Sequence, residues 1–403
     1  MPRPASSCYD GGVRAGLAIS LFAWAALSAC DGDGLAADPD RSYLLDAGFF
    51  RNDAEPGVPD VGFRERDAGF APDATTDAGE PCVCPPLETS CSPVTLRTPA
   101  FSPNHGALTE QLFSVLSCSD TYLHIAMYQT EWSCIVDAIL AKLAADPDLQ
   151  VELVHDDDQC PRVGGALSCE LARLEAHPRV ALVDDARARY MHHKFVVSDG
   201  RMVWVSSANF TRDAFCSESN DGIVVDTASV TQAYESQFQR MFSAREFGTS
   251  LRLPPVVSPP FSVYFGPETP LDSPGQWFER LVQEIDTASV SIDFLTFAWT
   301  RTEVSDAMLR AARRGVVVRG AVPALYRGAG PAMALIAAQL PLRIADVHDK
   351  LLIIDRRVVM TGSANWSENS WGNNENVLWI DDRGIAQAYL LGFERAYARG
   401  RVP

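Results

Sequence analysis

The chain carries one pattern twice. It reads His192-His193-Lys194, then Asp199, then Ser206-Ser207-Ala208-Asn209. Later it reads His348-Asp349-Lys350, then Asp355, then Gly362-Ser363-Ala364-Asn365. In both copies Lys follows His by two positions, Asp follows Lys by five, and Asn follows Asp by ten. The residues between, Phe195-Val196-Val197 and Leu351-Leu352-Ile353-Ile354, have the apolar and β-branched character of buried strands. Along a strand, residues i and i+2 share a face, so each His points the same way as its Lys and His193 points away. A chain with this pattern twice is expected to build one site from two halves.

The surroundings of the motif repeat as well. Apolar periodicity predicts, in the first half, a helix over 108–116, a strand over 122–128, a helix over 135–143, a strand over 151–154 and a helix over 165–175. The motif strand follows at 191–197, then strands at 203–206 and 222–225 and a helix at 229–242. The second half repeats the order: helix 277–284, strand 290–295, helix 304–312, strand 316–321, helix 331–340, motif strand 347–354, strands 358–361 and 376–380, and helix 385–398. Alternating strands and helices argue for an α/β fold of two pseudo-symmetric α-β-α repeats, each a mixed β-sheet flanked by helices, with the active site at the interface between them. The repeats are placed at 96–250 and 262–403. The Pro-rich join, Pro254-Pro255 and Pro259-Pro260, reads as a linker.

What precedes the repeats reads differently. Arg3 and Arg14 precede or open an apolar run that ends Leu27-Ser28-Ala29-Cys30. Residues 1–29 are therefore expected to be a lipoprotein signal peptide, with Cys30 lipidated. Residues 30–80 are rich in Asp, Ala, Gly and Pro and repeat Asp-Ala-Gly at 46–48, 67–69 and 77–79. Such a composition buries too little surface to offset chain entropy, so a disordered acidic tether is expected. Residues 81–95 form a Cys-rich lead-in to the repeats. Beyond Cys8 and Cys30, eight cysteines remain, Cys82, Cys84, Cys91, Cys118, Cys134, Cys160, Cys169 and Cys216. An even number in an exported chain reads as disulfides, with the pairing open. Cys82-x-Cys84 has the wrong spacing for a zinc knuckle and no second pair to match it. The formal net charge of −18 does not favour a polyanion as partner.

The doubled His-x-Lys-x4-Asp-x6-Gly-Ser-x-Asn pattern resembles the signature of the phospholipase D superfamily, over roughly residues 96–400. That resemblance implies cleavage of phosphodiesters without a metal or other cofactor, at a site between the repeats. It implies that one histidine, His192, attacks phosphorus and that the other, His348, serves as acid and base. Lys194, Lys350, Asn209 and Asn365 are expected to hold the phosphoryl oxygens as they gain charge. Ser207 and Ser363 are expected to bond near the phosphate, and Asp199 and Asp355 to act as structural supports. A carboxylate some ten residues after the Asn is expected to fix the histidine tautomer. Glu375 fits this for the second half. The first half reads Ser219-Asn220-Asp221, so Asp221 or Glu218 substitutes there, or Asn220 orients the ring more weakly. Ser206 stands where the superfamily has Gly, and its side chain is expected to narrow the site.

Other candidates receive blander readings. His105, His124, His155 and His177 have no motif partners. The acidic run His155-Asp156-Asp157-Asp158 reads as a solvated loop rather than a cation site. Phe297, Trp299, Trp366 and Trp371 either line a substrate groove or pack in the core. The expectation as a whole is an exported, cell-envelope lipoprotein, periplasmic or on the outer surface and anchored to the membrane through Cys30. It would hydrolyse phospholipids and act as a monomer with no obligate protein partner. A metal-independent endonuclease, with nucleic acid as substrate, and a catalytically silent phosphodiester-binding protein are the alternatives.

Overall fold

The computed structural model describes residues 82, 84–88, 90–103, 106–248, 254–267 and 275–403. The expected leader, the lipidation at Cys30, the tether and His105 lie outside the described residues. Two mixed sheets organise the fold. The first contains β1 (Ala100–Ser102), β2 (Tyr122–Met127), β3 (Gln150–His155), β6 (Val180–Asp184), β7 (Lys194–Ser198), β8 (Met202–Ser206) and β9 (Asn220–Val225), in the order β1-β9-β8-β7-β2-β3-β6. The hairpin β4 (Arg162–Val163) and β5 (Ala166–Leu167) stands outside it.

The second sheet contains β10 (Val256–Ser258), β11 (Phe261–Phe265), β12 (Ser291–Thr296), β13 (Val317–Val322), β14 (Leu342–Ile344), β15 (Lys350–Ile354), β16 (Val358–Gly362) and β17 (Asn376–Asp381). Its order is β10-β11-β17-β16-β15-β12-β13-β14. Apart from β10, the two orders match strand for strand. In each, three strands run parallel (β2, β3, β6 and β12, β13, β14) and the rest pair antiparallel. The duplication read from the motif is thus a duplication of topology.

Nine α-helices are described: α1 (Ala107–Ser117), α2 (Ser133–Ala145), α3 (Leu171–Glu175), α4 (Arg212–Cys216), α5 (Ala228–Phe242), α6 (Gln276–Thr287), α7 (Thr302–Arg313), α8 (Gly330–Ala337) and α9 (Arg383–Arg399). Strand alternation sorts side chains between cores. Phe195 and Val197 of β7, like Leu351 and Ile353 of β15, enter a core shared by both halves, which also holds Tyr234 and Phe238 of α5 and Tyr389 and Phe393 of α9. Val196 faces a separate outer core with α1 and α2. Leu352 and Ile354 face another with α6 and α7, where Trp277, Phe278, Leu281 and Ile285 make one buried stripe on α6. None of these helices is long and apolar enough to cross a membrane.

Several elements differ from the sequence reading. The helix expected over 165–175 is helical only at α3. Gly164 and Gly165 take φ of 62° and 91° and turn the chain into the β4–β5 hairpin instead. The Pro-rich join is no plain linker, because β10 and β11 form a hairpin and β11 pairs with β17. The short strands β1, β6 and β14 carry too few residues to show a period. The motif strands begin at Lys194 and Lys350 rather than at 191 and 347, because the residues before them bond across to the other half.

All eight cysteines among the described residues pair, as Cys82–Cys216, Cys84–Cys134, Cys91–Cys118 and Cys160–Cys169. Three of these bridges tie the lead-in to α4, α2 and the end of α1. The fourth closes the base of the β4–β5 hairpin.

Candidate active site

The site forms where the two halves meet, at the bridges between the segments before the motif strands and those before β9 and β17. Met127 of β2 lies opposite Lys194, and Thr296 of β12 lies opposite Lys350, so the equivalent ends of both sheets carry the motif. Two isolated parallel bridges join the halves, Met191 with Asn374 and Ser219 with Val347. The His192 amide donates to the Asn374 carbonyl at 2.9 Å, and the His348 amide donates to the Ser219 carbonyl at 2.8 Å. These bonds are equivalent under the pseudo-twofold. They set His192, Lys194, His348 and Lys350 against one another, all buried.

The same bridges decide which residue orients which ring. Nδ1 of His192 lies 2.8 Å from Oε2 of Glu375. Nδ1 of His348 lies 2.9 Å from Oδ1 of Asn220. Each histidine is therefore held by the opposite repeat. This corrects the expectation that Glu375 serves the second half: Glu375 holds His192, and the amide of Asn220 holds His348. Sequence spacing points to the residue but not to the histidine it reaches, because the partner strand arrives across the interface. In each case the acceptor fixes Nδ1–H and so sets the ring's tautomer and orientation, and Nζ of Lys350 lies 3.2 Å from Nε2 of His348.

The lysines fold back on their own motif. Nζ of Lys194 donates to the His192 carbonyl at 3.2 Å, and Nζ of Lys350 to the His348 carbonyl at 2.7 Å. Aromatic rings flank both couples. Tyr128 lies 4.8 Å from the His192 ring, with Lys194 Nζ 5.0 Å above it; Phe297 lies 4.7 Å from the His348 ring, with Lys350 Nζ 5.3 Å away. Tyr128 and Phe297 each stand one residue past equivalent strands, β2 and β12. The sequence reading missed Tyr128, although aligning the two halves at those strands pairs it with Phe297. Asn209 donates from Nδ2 to Gln129 at 3.5 Å, and Oδ1 of Asn365 accepts from the Ala298 amide at 3.4 Å, so each asparagine bonds the residue two places past β2 or β12 in its own half.

Ser207 and Ser363 act behind the rings rather than as free hydroxyls at a phosphate. The Ser207 hydroxyl donates to Oδ1 of Asn220 at 2.9 Å, and the Ser363 hydroxyl donates to Oε2 of Glu375. Ser206 does not narrow the site. It is buried, and its hydroxyl donates to the Asp221 carbonyl at 2.6 Å. Asp199 and Asp355 sit at the far ends of the motif strands. Asp199 accepts from the amides of Asp120, Thr121 and Tyr122, and Asp355 from those of Ser289, Val290 and Ser291. Burial alone would raise both carboxyls, but these donors hold them below the ordinary range.

Trp299, Trp366 and Trp371 belong to the outer core of the second half, so of that aromatic cluster only Phe297 reaches the site. His193 is buried, accepts from Gln237 at Nε2 and meets Oδ1 of Asn376 at Nδ1; burial pushes its pKa down to about 3, so it stays neutral. The acidic run at the end of β3 is only partly a solvated loop: Asp158 is exposed and Asp157 half-buried, whereas His155 and Asp156 are buried. Asp156 is buried and accepts from the amides of Met191, Asp158 and Gln159. Burial pushes it up to about 7, while burial and the neighbouring Asp156 push Asp185 up to about 9. Through Met191 this acidic pair braces the residue before His192.

Two histidines and two lysines thus meet at a buried, pseudo-symmetric interface, with a buried asparagine in each half, a set of residues suited to holding an oxyanion and transferring a group. Among known proteins, the family described as cardiolipin synthase, PLD-like domain, matches residues 112–242 and 281–397. The mitochondrial cardiolipin hydrolase of Xenopus laevis is 33% identical over 141 residues, 32% of this chain and 64% of that protein. A phospholipase D of Rickettsia prowazekii is 32% identical over 117 residues, 27% of this chain and 57% of that protein. The chain thus matches less than two-thirds of the length of these relatives. The phosphatidylserine synthase of Haemophilus influenzae has the same fold, with a TM-score of 0.57 at 14% identity, over 77% of this chain and 88% of that one. With a family match that spans both repeats and more than half of its length, the chain belongs to the phospholipase D superfamily.

Proposed function

We propose that the chain is a phosphodiesterase that hydrolyses phospholipids by double displacement through His192 and His348. One observation carries the reading: two imidazoles at one interface, each with Nδ1 bonded to an acceptor from the opposite half. Nε2 of His192 attacks phosphorus, and the bond from phosphorus to the leaving oxygen breaks. His348, doubly protonated, gives its Nε2 proton to that oxygen. Now neutral, His348 takes a proton from water, the water oxygen attacks phosphorus, and the bond to His192 breaks. Lys194, Lys350, Asn209 and Asn365 neutralise and bond the phosphoryl oxygens throughout.

The unlike partners support this order of roles. Glu375 stabilises the positive charge that His192 gains as its bond to phosphorus forms. The neutral amide of Asn220 stabilises the His348 imidazolium less, so that ring releases its proton more readily. The names of the relatives and the aromatic walls, Tyr128 and Phe297, support a phospholipid as substrate. Lipidation at Cys30, a position in the cell envelope and action as a monomer complete the proposal.

The test mixes the full chain with phospholipid vesicles, ethanol and a chelator, and looks for phosphatidylethanol by mass spectrometry. The wild type is expected to form it, and the H192A/H348A variant is not. Absence of any lipid product overturns the lipid reading. Cleavage of plasmid or single-stranded DNA would then point to a nuclease, and tight phosphodiester binding without turnover to a silent binding protein.

A further inference from the structure

The bridge that sets Asn220 on His348 also brings the next residues side by side, Asp221 and Asp349. Both are fully buried. Neither oxygen of Asp349 makes a hydrogen bond, nor does Oδ1 of Asp221; only Oδ2 of Asp221 has a donor, the Thr361 hydroxyl at 2.5 Å. The equivalent bridge sets His193 beside Asn376, a neutral pair at 3.3 Å. The halves therefore differ in where they hold negative charge. Glu375-Asn376 places it on the His192 ring. Asn220-Asp221 places it one residue further along, behind Lys350.

Two carboxylates buried together do not both ionise. Lys350 attracts the pair, as does Arg399 of α9 on the Asp349 side, whereas Asp346 near Arg399 adds negative charge. The Tyr389 phenol and the Ser207 hydroxyl adjoin Asp221, and the Ser219 side chain and the Asp349 amide adjoin the Asp349 carboxyl, all outside hydrogen-bond geometry. Burial raises both carboxyls, and the charge of Asp221 raises Asp349 further. A proton held between them gives one orphaned oxygen a donor, removes the repulsion and leaves a single negative charge.

We propose that Asp221 and Asp349 share one proton and are the positioning pair of the second His–Lys couple, supplying behind Lys350 the charge that Glu375 supplies at His192. The kinetic consequences rest on the phosphodiesterase reading; the existence of the pair does not.

Infrared spectroscopy of the full chain at neutral pH tests the pair without any activity. A buried carboxylic-acid C=O stretch that shifts in deuterium oxide is expected, and its loss in D349N or D221N assigns it to this pair. If the wild type shows no such band, or if both single variants keep it unchanged, the proposal is overturned.

Kinetics with bis(p-nitrophenyl) phosphate test the role. An amide stands in for a protonated acid, so D221N and D349N each keep one charge and one donor and are expected to retain kcat within about threefold. D221N/D349N removes the charge. Its kcat is expected to fall at least tenfold with KM changed less, and the alkaline limb of its kcat profile to move down by about one pH unit. A double variant with the wild-type profile overturns the positioning role, and so do single variants as impaired as the double. A wild type inert toward all phosphodiesters sinks the functional reading and leaves the infrared result standing.

Discussion

Glu375 and Asn220 occupy equivalent places in the two repeats, yet one is a carboxylate and the other an amide, and each reaches across to the other half's histidine. The substitution separates two otherwise equivalent imidazoles. E375Q keeps the shape but removes the charge that balances a phosphorylated His192, so kcat is expected to fall at least about 100-fold, read as slowed formation of the phosphoryl-enzyme in single-turnover kinetics. N220D adds a carboxylate to His348 and binds its proton more tightly. The alkaline limb of its kcat profile is expected to move up by about one pH unit. A second asymmetry is conformational. Gly362 has φ of 128°, and a Cβ there would lie 2.2 Å from the Asn376 carbonyl oxygen, so only glycine fits. Ser206, at the equivalent position, is not among the residues with positive φ, and its hydroxyl donates to the Asp221 carbonyl.

Each motif strand is anchored at one end by chemistry and at the other by an aspartate. Asp199 and Asp355 take φ of 49° and 52° just past β7 and β15 and collect the amides that begin β2 and β12. They fix how far the motif strand slides against its neighbour, and so where Lys194 and Lys350 end. D355A is expected to cost about 2 kcal/mol of stability, measured by urea unfolding. Its kcat is expected to change little once the protein is folded, since the carboxylate never touches the reacting groups. The disulfides form another element-scale asymmetry. All four lie in the first half, where three fasten a lead-in segment that joins the sheet only at β1 and the fourth closes the β4–β5 hairpin.

Among the described residues, six acids (Asp156, Asp185, Asp221, Asp293, Asp349 and Glu375) are buried against three lysines (Lys142, Lys194 and Lys350), and this shapes the response to pH. Asp156 and Asp185 have folded pKa values of about 7 and about 9, raised above the ordinary carboxylate value, and Asp349 is raised as well. The folded state therefore binds more protons than the unfolded state, and stability falls as pH rises through these values. His193, with a folded pKa of about 3, opposes this only below its unfolded value near 6.5. Between about pH 6.5 and 9 the acids act alone. The melting temperature is expected to fall steadily over that window, and D185N to flatten the fall above pH 7, as differential scanning calorimetry would detect.

The motif spacing determined that the chain is built twice and which residue types gather at the site, because a period-two strand and a fixed interval survive in one dimension. The long helices and the central strands β2, β7, β12 and β15 were legible for the same reason, since each carries a full apolar period. The edge strands β1, β6 and β14 and the β10–β11 hairpin were not, because three to five residues carry too little pattern and their pairing comes from neighbours far along the chain. Only the tertiary structure decided that Glu375 holds His192 and Asn220 holds His348, that Asp221 meets Asp349, and that Asp156 is buried. Each depends on which strand end crosses the interface between the repeats, and that contact joins residues more than 100 positions apart.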